Sequence, residues 1–359
     1  NYNDADKDLY FPSYRGEYPQ LDLYDTSLAQ HTMDEKLELA RETARQAEQW
    51  DARVSRIERS GYEEGEMELW LGNSNGLMQY QNGTYCGLFC LARGEQNGEQ
   101  QSGYGMHSSI GFAELSPQLA GQMGGKRAVQ LLGATQIESG VMDLVLEPLI
   151  AMQIMGIISA CFSGEAVRKN KSFLAGQLEQ MVAGAEVTLI DDGCMPGHLG
   201  SASFDDEGTP AQKTVLVENG MLKHYLYDCL SAAKAGTTST GNGVRSSYKG
   251  TPHIGTTNYY LAGGQYTPGQ LLQAVDRGIY VTEIMGAHTA NPVSGNFSFG
   301  ASGILIEHGQ LTRPVRGITI AGNFQQLLQQ IRGVGNDLTF YSSHGAPTVR
   351  IEKISVSGI

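Results

Sequence analysis

The feature that most restricts how this chain can fold is the apolar run Val141–Phe162. It is broken near its middle by Glu147 and Pro148, and it also holds Asp143, Gln153 and Gly156. A membrane helix needs roughly 18 or more uninterrupted apolar residues, and this run does not supply them. Proline is tolerated at the first turn of a helix and not in its interior. The run therefore reads as a buried strand, Val141–Leu146, followed by a helix around Pro148–Cys161. Leu149, Ile150, Met152, Ile154, Met155, Ile157 and Ile158 make that helix apolar on all sides, which predicts burial.

Around this core the chain is rich in turns. It has 46 glycines in 359 residues, nearly twice the ordinary share, which predicts many short strands. Leu216–Leu222 and Leu305–Leu311 are similar apolar runs, each broken by a Glu-x-Gly turn, and both predict hairpins. Upstream, Thr32 and Glu35 form a candidate capping box for a helix carrying Leu37, Ala40, Ala44 and Ala47 and ending before Gly61. Met67–Leu71, Leu77–Asn82, Thr84–Arg93 and Ser102–Ile110 read as an antiparallel meander with a turn at Asn73–Gly76. Ser116-Pro117 opens a second helix that runs to about Leu132. Thr267-Pro268 and Asn323 open two more helices late in the chain.

The fold class is thus α+β. Residues 1–30 read as an extended lead-in, docked by Tyr10, Phe11 and Tyr14. Residues 31–133 form a helix and antiparallel-meander domain, and a loop over Gly133–Gly140 is the boundary. Residues 141–359 form a larger, hairpin-rich antiparallel β domain with packed helices.

Charge and cysteine content narrow the function. The net charge of -13 argues against nucleic acid as a partner, since a phosphate-binding face must be basic. The five cysteines include no CxxC pair, which favours a reducing, cytoplasmic setting over a disulfide framework. Gly121–Arg127 resembles a phosphate loop, but Ala120 stands where the first Gly is needed and Arg127 where Ser or Thr is needed. None of the eight histidines is paired on one helix face, so no local zinc-hydrolase motif is present. Cys194 and His198, beside Asp191, Asp192 and Asp205–Glu207, form a candidate thiolate–imidazole loop, with a plain polar loop as the favoured reading. Asn258, Tyr259 and Tyr260 are a candidate exposed strand for pairing with an extended peptide; Asn296, Phe297 and Ser298 are a candidate tight turn approaching a ligand. An interior strand and a bulged loop are the plainer readings of these two segments.

Several ordered segments resemble the TldD/PmbA family. They are Gly72–Gly76, Val145–Leu149, Ser163–Val167 with Lys171–Leu174, Phe204–Gly208, Glu218–Gly220, Val281–Gly286, Ile318–Asn323 and Gly335–Asp337. The similarity runs from about residue 30 to the end. Family members carry a further α/β segment at the front, so the resemblance implies a fragment, a processed form or a short variant. One branch, TldD, has His-Glu-x-x-x-His on the helix after a strand and a Cys near the C-terminus, which together hold zinc in a cytoplasmic peptidase acting on small or unfolded peptides. The other, PmbA or TldE, lacks those ligands and pairs with the first. In this chain Glu147 and Pro148 fall where the motif's first His and Glu would be, Met152 falls near its second His, and no Cys follows Cys229. The resemblance therefore implies a non-catalytic subunit with no metal or cofactor of its own. Its expected partners are a TldD-like zinc subunit or a second copy, plus an extended peptide, with no nucleic acid and no membrane. The alternatives are a stand-alone homo-oligomeric peptide-binding protein and an independent hydrolase using Cys194 and His198.

Overall fold

The computed structural model describes residues 12–14 and 16–359. Tyr10 and Phe11 lie outside the described residues. Helix α1, Met33–Glu48, starts at the expected capping box: Thr32 Oγ1 accepts from Glu35 N, and the Glu35 carboxylate accepts from Thr32 N at 2.7 Å. Three antiparallel strands follow: β1 (Val54–Gly72), β2 (Met78–Gln96) and β3 (Glu99–Ser109). β1 and β2 are longer than the alternation signals suggested. The early half of β1 is charged, and β2 runs unbroken through Gly83. Asn97 and Gly98 turn β2 into β3 with φ of 53° and 83°, the left-handed pair that a two-residue hairpin requires.

Helix α2, Pro117–Val129, opens with Ser116 Oγ accepting from Leu119 N at 3.2 Å. It lies on the same sheet face as α1 and touches it. Glycines permit that closeness. A β-carbon on Gly103 or Gly105 of β3 would overlap the α2 backbone at Ala128 or Ala120, and one on Gly125 would sit 2.6 Å from Ala47 O in α1.

Strand β4, Gly140–Leu146, and helix α3, Pro148–Ser159, match the strand–Glu-Pro–helix reading. β4 lies parallel to Arg277–Met285 on one side and antiparallel to Val349–Ser357 on the other. The sheet continues outward from Arg277–Met285 through Asn296–Glu307 to Gln310–Asn323, and from Val349–Ser357 to Ile331–Val334. Gln310–Asn323 also pairs back onto Val349–Ser357 at Thr319, Ile320 and Ala321, so five strands close into a ring. A second sheet has the order Thr339–Tyr341, His344–Ala346, Tyr259–Leu261, Leu189–Asp192, Lys213–Glu218, Met221–Leu222. Both Glu-x-Gly turns are two-residue hairpin loops, with positive φ at Asn219 and Gly220 and at His308 and Gly309.

The protein is α+β, with one departure from the expected antiparallel arrangement. Two pairings are parallel, β4 with Arg277–Met285 and Tyr259–Leu261 with His344–Ala346. Helix α3 does not lie on an outer face but packs against strands of both sheets. Ile150, Ile154, Met155 and Ile158 are buried there, each contributing about 1.5–3 kcal/mol by leaving water. Of the lead-in, Tyr14 is largely exposed, and Tyr18 makes the firm contact: its hydroxyl donates to Gly208 O at 2.9 Å and its ring meets Phe204 edge-on.

Candidate functional site

The corner between β4 and α3 concentrates charge. Glu147 is the residue before the helix, in extended conformation, and its carbonyl accepts from Ala151 N. Its side chain does not cap the helix. It is 6% exposed and accepts from Arg127 Nη2 at 2.7 Å, with Lys126 Nζ at 3.6 Å. Both cations come from the end of α2, so the contact joins the meander part to the ring part. Burying a carboxylate is costly unless it is paired and hydrogen-bonded, and the Arg127 guanidinium meets that demand.

Other groups share this field. Lys126 Nζ lies 5.9 Å from the centre of the Tyr280 ring. Burial, reinforced by the Glu147 charge, pushes the Tyr280 hydroxyl well above its ordinary range and the Tyr341 hydroxyl up to about 12. Burial also raises the Glu283 carboxyl, against the lowering pull of Arg127. Asp337 accepts from Thr348 N at 3.0 Å and Thr348 Oγ1 at 2.7 Å. The sequence signal for this constellation was the adjacent pair Lys126-Arg127, weighed only as part of a phosphate loop. That segment is helical, within α2.

Pro148 takes the first helical position and offers no donor atom. Met152 is partly buried and packs against the main core. Among the described residues no group of three His, Cys, Asp or Glu side chains is placed to hold a metal ion.

The candidate peptide contacts fall on separate sheets. Asn258 is fully buried: its Oδ1 accepts from Gly200 N at 2.9 Å, and its Nδ2 donates to Asp192 O and Ser201 Oγ at 2.8 Å. It braces the loop after Leu189–Asp192. Tyr259 and Tyr260 are buried in a strand paired on both sides, so the expectation of an exposed edge there is corrected: the backbone groups are taken up by the neighbouring strands. Asn296 and Ser298 are exposed at the start of their strand, while Phe297 is buried and stacks on Phe299 and Phe324 at 4.8 Å. These three form the start of a paired strand, not a tight turn. The free side of that stretch is covered by the preceding loop, with Asn291 N donating to Asn296 O and Thr289 Oγ1 to Ser298 O.

Cys194 and His198 do not pair. The Cys194 thiol donates to Ala211 O at 3.2 Å and burial raises it, away from thiolate. The His198 ring meets Phe340 edge-on at 4.4 Å. The acidic residues nearby serve the backbone. Asp191 accepts from Asn242 Nδ2, Thr257 N and Thr257 Oγ1. Asp205 accepts from Glu207 N, Thr209 N and Gly243 N, and burial still lifts it to about 7.

A strand ring and a second sheet packed on one apolar helix, entered through a Glu-Pro corner and fastened to a helix-backed meander, is the architecture shared with the PmbA/TldA metallopeptidases. Their central domain matches residues 27–132 and their C-terminal domain residues 139–358. The chain belongs to the PmbA/TldD family. It is 26% identical to the metalloprotease PmbA of Escherichia coli O157:H7, over 99% of this chain and 75% of that protein. It is 36% identical over 210 residues to a metalloprotease TldD homolog of Buchnera aphidicola, which is 54% of this chain and only 43% of that protein. Among solved structures it is similar to a Thermotoga maritima protein described as a candidate modulator of a DNA gyrase, with 31% identity, TM-score 0.90, and 98% of this chain and 81% of that chain covered. It is also similar to TldE from Thermococcus kodakarensis, with 26% identity, TM-score 0.88, and 99% and 81% covered.

Proposed function

We propose that the chain is the non-catalytic, PmbA/TldE-type subunit of a peptidase whose zinc sits in a TldD-type partner and which acts on small or unfolded peptides in the cytoplasm. Residues 31–133 and 141–359 would be its two domains. The observation that carries this reading is the pairing of Glu147 with Arg127 and Lys126. Zinc requires imidazole, thiolate or free carboxylate donors, an open position for water and a nearby base. At the three positions that the resemblance aligns with the zinc motif, the chain offers a carboxylate already engaged by a guanidinium, a proline, and a thioether packed on the core. That donor set does not fit the ion, and no catalytic step is assigned to it. Arg127 and Lys126 tie this corner to the meander. Among the described residues no helix is long and apolar enough to cross a membrane.

The test is metal analysis and peptidase assay of the purified chain, alone and with a TldD-type zinc subunit. The expected result is no stoichiometric zinc and no cleavage of an unstructured peptide alone, with cleavage on adding the partner. Cleavage by the isolated chain that a chelator abolishes would overturn the proposal.

A further inference from the structure

Two hollows meet beside the strand Lys213–Glu218 of the second sheet, with Gln212, Thr237, Thr238 and Ser239 as their common wall. One has a volume of about 460 Å³ and the other about 820 Å³. Sites for small molecules run roughly 300–1,000 Å³, so either is large enough to hold one.

The smaller hollow is basic. Lys213, Lys223 and His224 line it, and among the described residues no Asp or Glu does. In a chain with 38 acidic and 25 basic residues this is a local reversal of sign. Neither lysine is firmly engaged. Lys213 Nζ lies 3.8 Å from an Asp192 oxygen, and Lys223 Nζ lies 2.9 Å from Glu179, a carboxylate 60% exposed. Exposed pairs of this kind are worth little, so an incoming anion can replace them. His224 Nδ1 is 2.8 Å from Val215 O, which can only accept, so Nδ1 carries the hydrogen and Nε2 is left for a ligand. On the shared wall Thr237 and Thr238 are exposed, and their hydroxyls have no hydrogen-bond partner among the described residues.

The larger hollow has a different character. Tyr14, Tyr18 and Pro19 of the lead-in line it together with Pro210, and Glu17 is the one acid among its described lining residues. The Tyr14 ring is 44% exposed and crosses the Tyr18 ring at 81°, which leaves surface on which a flat ring can stack.

We propose that this two-part trench binds a nucleoside monophosphate. Its phosphate sits among Lys213, Lys223 and His224, its sugar hydroxyls meet Thr237 and Thr238, and its base stacks on Tyr14. Each lobe selects one part of the ligand. A bare anion leaves the aromatic lobe unused, and an uncharged ring compound leaves the lysines unused. A nucleic-acid strand needs a continuing track of cations, and among the described residues the larger hollow adds none. The trench shares no residue with the Glu147 corner and does not depend on the function proposed above.

The test is isothermal titration calorimetry of the 359-residue chain with adenosine monophosphate and, separately, with inorganic phosphate; circular dichroism confirms that each variant is folded. The nucleotide is expected to bind once per chain, at least about tenfold more tightly than phosphate. Lys213→Gln and Lys223→Gln should each weaken both ligands about tenfold, since each removes a charge-assisted contact to the phosphate. Tyr14→Ala should weaken the nucleotide about tenfold and leave phosphate unchanged. A nucleotide that does not bind, or binds no better than phosphate, overturns the inference. So does nucleotide binding that persists undiminished in the Lys213→Gln, Lys223→Gln double variant, or that is indifferent to Tyr14→Ala.

Discussion

Replacing Arg127 by alanine isolates the one contact on which the reading of the β4–α3 corner depends. The Glu147 side chain is 8% exposed, so it cannot turn to water when its guanidinium is removed. Losing one member of a buried pair costs about 3–5 kcal/mol, most of it the penalty on the charge left behind. Lys126 stays at 3.6 Å, but it is 41% exposed and offsets only a part, which sets the expectation near the lower end, about 3 kcal/mol. For a domain of roughly 150–250 residues each kcal/mol moves the midpoint about 2–4 °C, so the thermal transition should fall by roughly 6–12 °C. The double variant Arg127→Met with Glu147→Leu removes both charges and leaves no orphan. It should lie within about 1 kcal/mol of the wild type. Urea titrations followed by circular dichroism on the wild type, both single variants and the double variant give the coupling energy, expected at about 2 kcal/mol or more. A coupling below about 0.5 kcal/mol would show that Arg127 and Glu147 are neighbours without being partners, and the account of the corner would fail.

Three further outcomes follow from the packing and the carboxylates. Gly105→Ala forces a β-carbon into the α2 backbone at Ala120 and should cost about 2–3 kcal/mol in a denaturant titration; a loss under about 0.5 kcal/mol would mean α2 is free to lift. Asp205 lies at about 7 in the fold against an ordinary 3.8, so the folded chain holds a proton that the unfolded chain has released between those values. Its stabilisation is full below about pH 4 and is lost as pH rises through about 7; Asp205→Asn should flatten that slope in urea midpoints, and identical slopes in the two proteins would exclude it. Cys194 should be alkylated at neutral pH no faster than free cysteine, because its half-buried thiol is held on Ala211 O; rapid stoichiometric labelling would revive a thiolate there.

The parts of this molecule that were legible in the sequence are those fixed by neighbours in the chain. The Thr32–Glu35 box, the Ser116-Pro117 start, the Glu-x-Gly hairpins and the Glu147-Pro148 corner each work through residues within a few positions, and each is where expected. The early half of β1 was hidden because its arginines and glutamates carry no apolar alternation, although pairing with β2 makes it a strand. Gly164–Arg168 and Cys229–Ala235 were missed as helices: each is a turn or two long, too short for a period to show. The site needed long-range facts. Nothing near Glu147 in the chain reveals that Arg127 reaches it, and nothing near Asn258 reveals that strands close over both sides of its successor residues. The family resemblance placed Glu147, Pro148 and Met152 together, while the cations that answer Glu147 came only from the fold.

The ring of strands has a bearing on how the protein is made. Its first stave, Gly140–Leu146, is flanked on one side by Val349–Ser357, more than two hundred positions later. During synthesis the hairpin-linked staves can zip together early, but the apolar helix beside them lacks the strand His344–Ala346 that packs on it until residue 346 has cleared the ribosome. A nascent chain of this kind must carry its greasiest segment half-sheltered through most of its own translation, and is a natural client for whatever holds unfinished polypeptides apart.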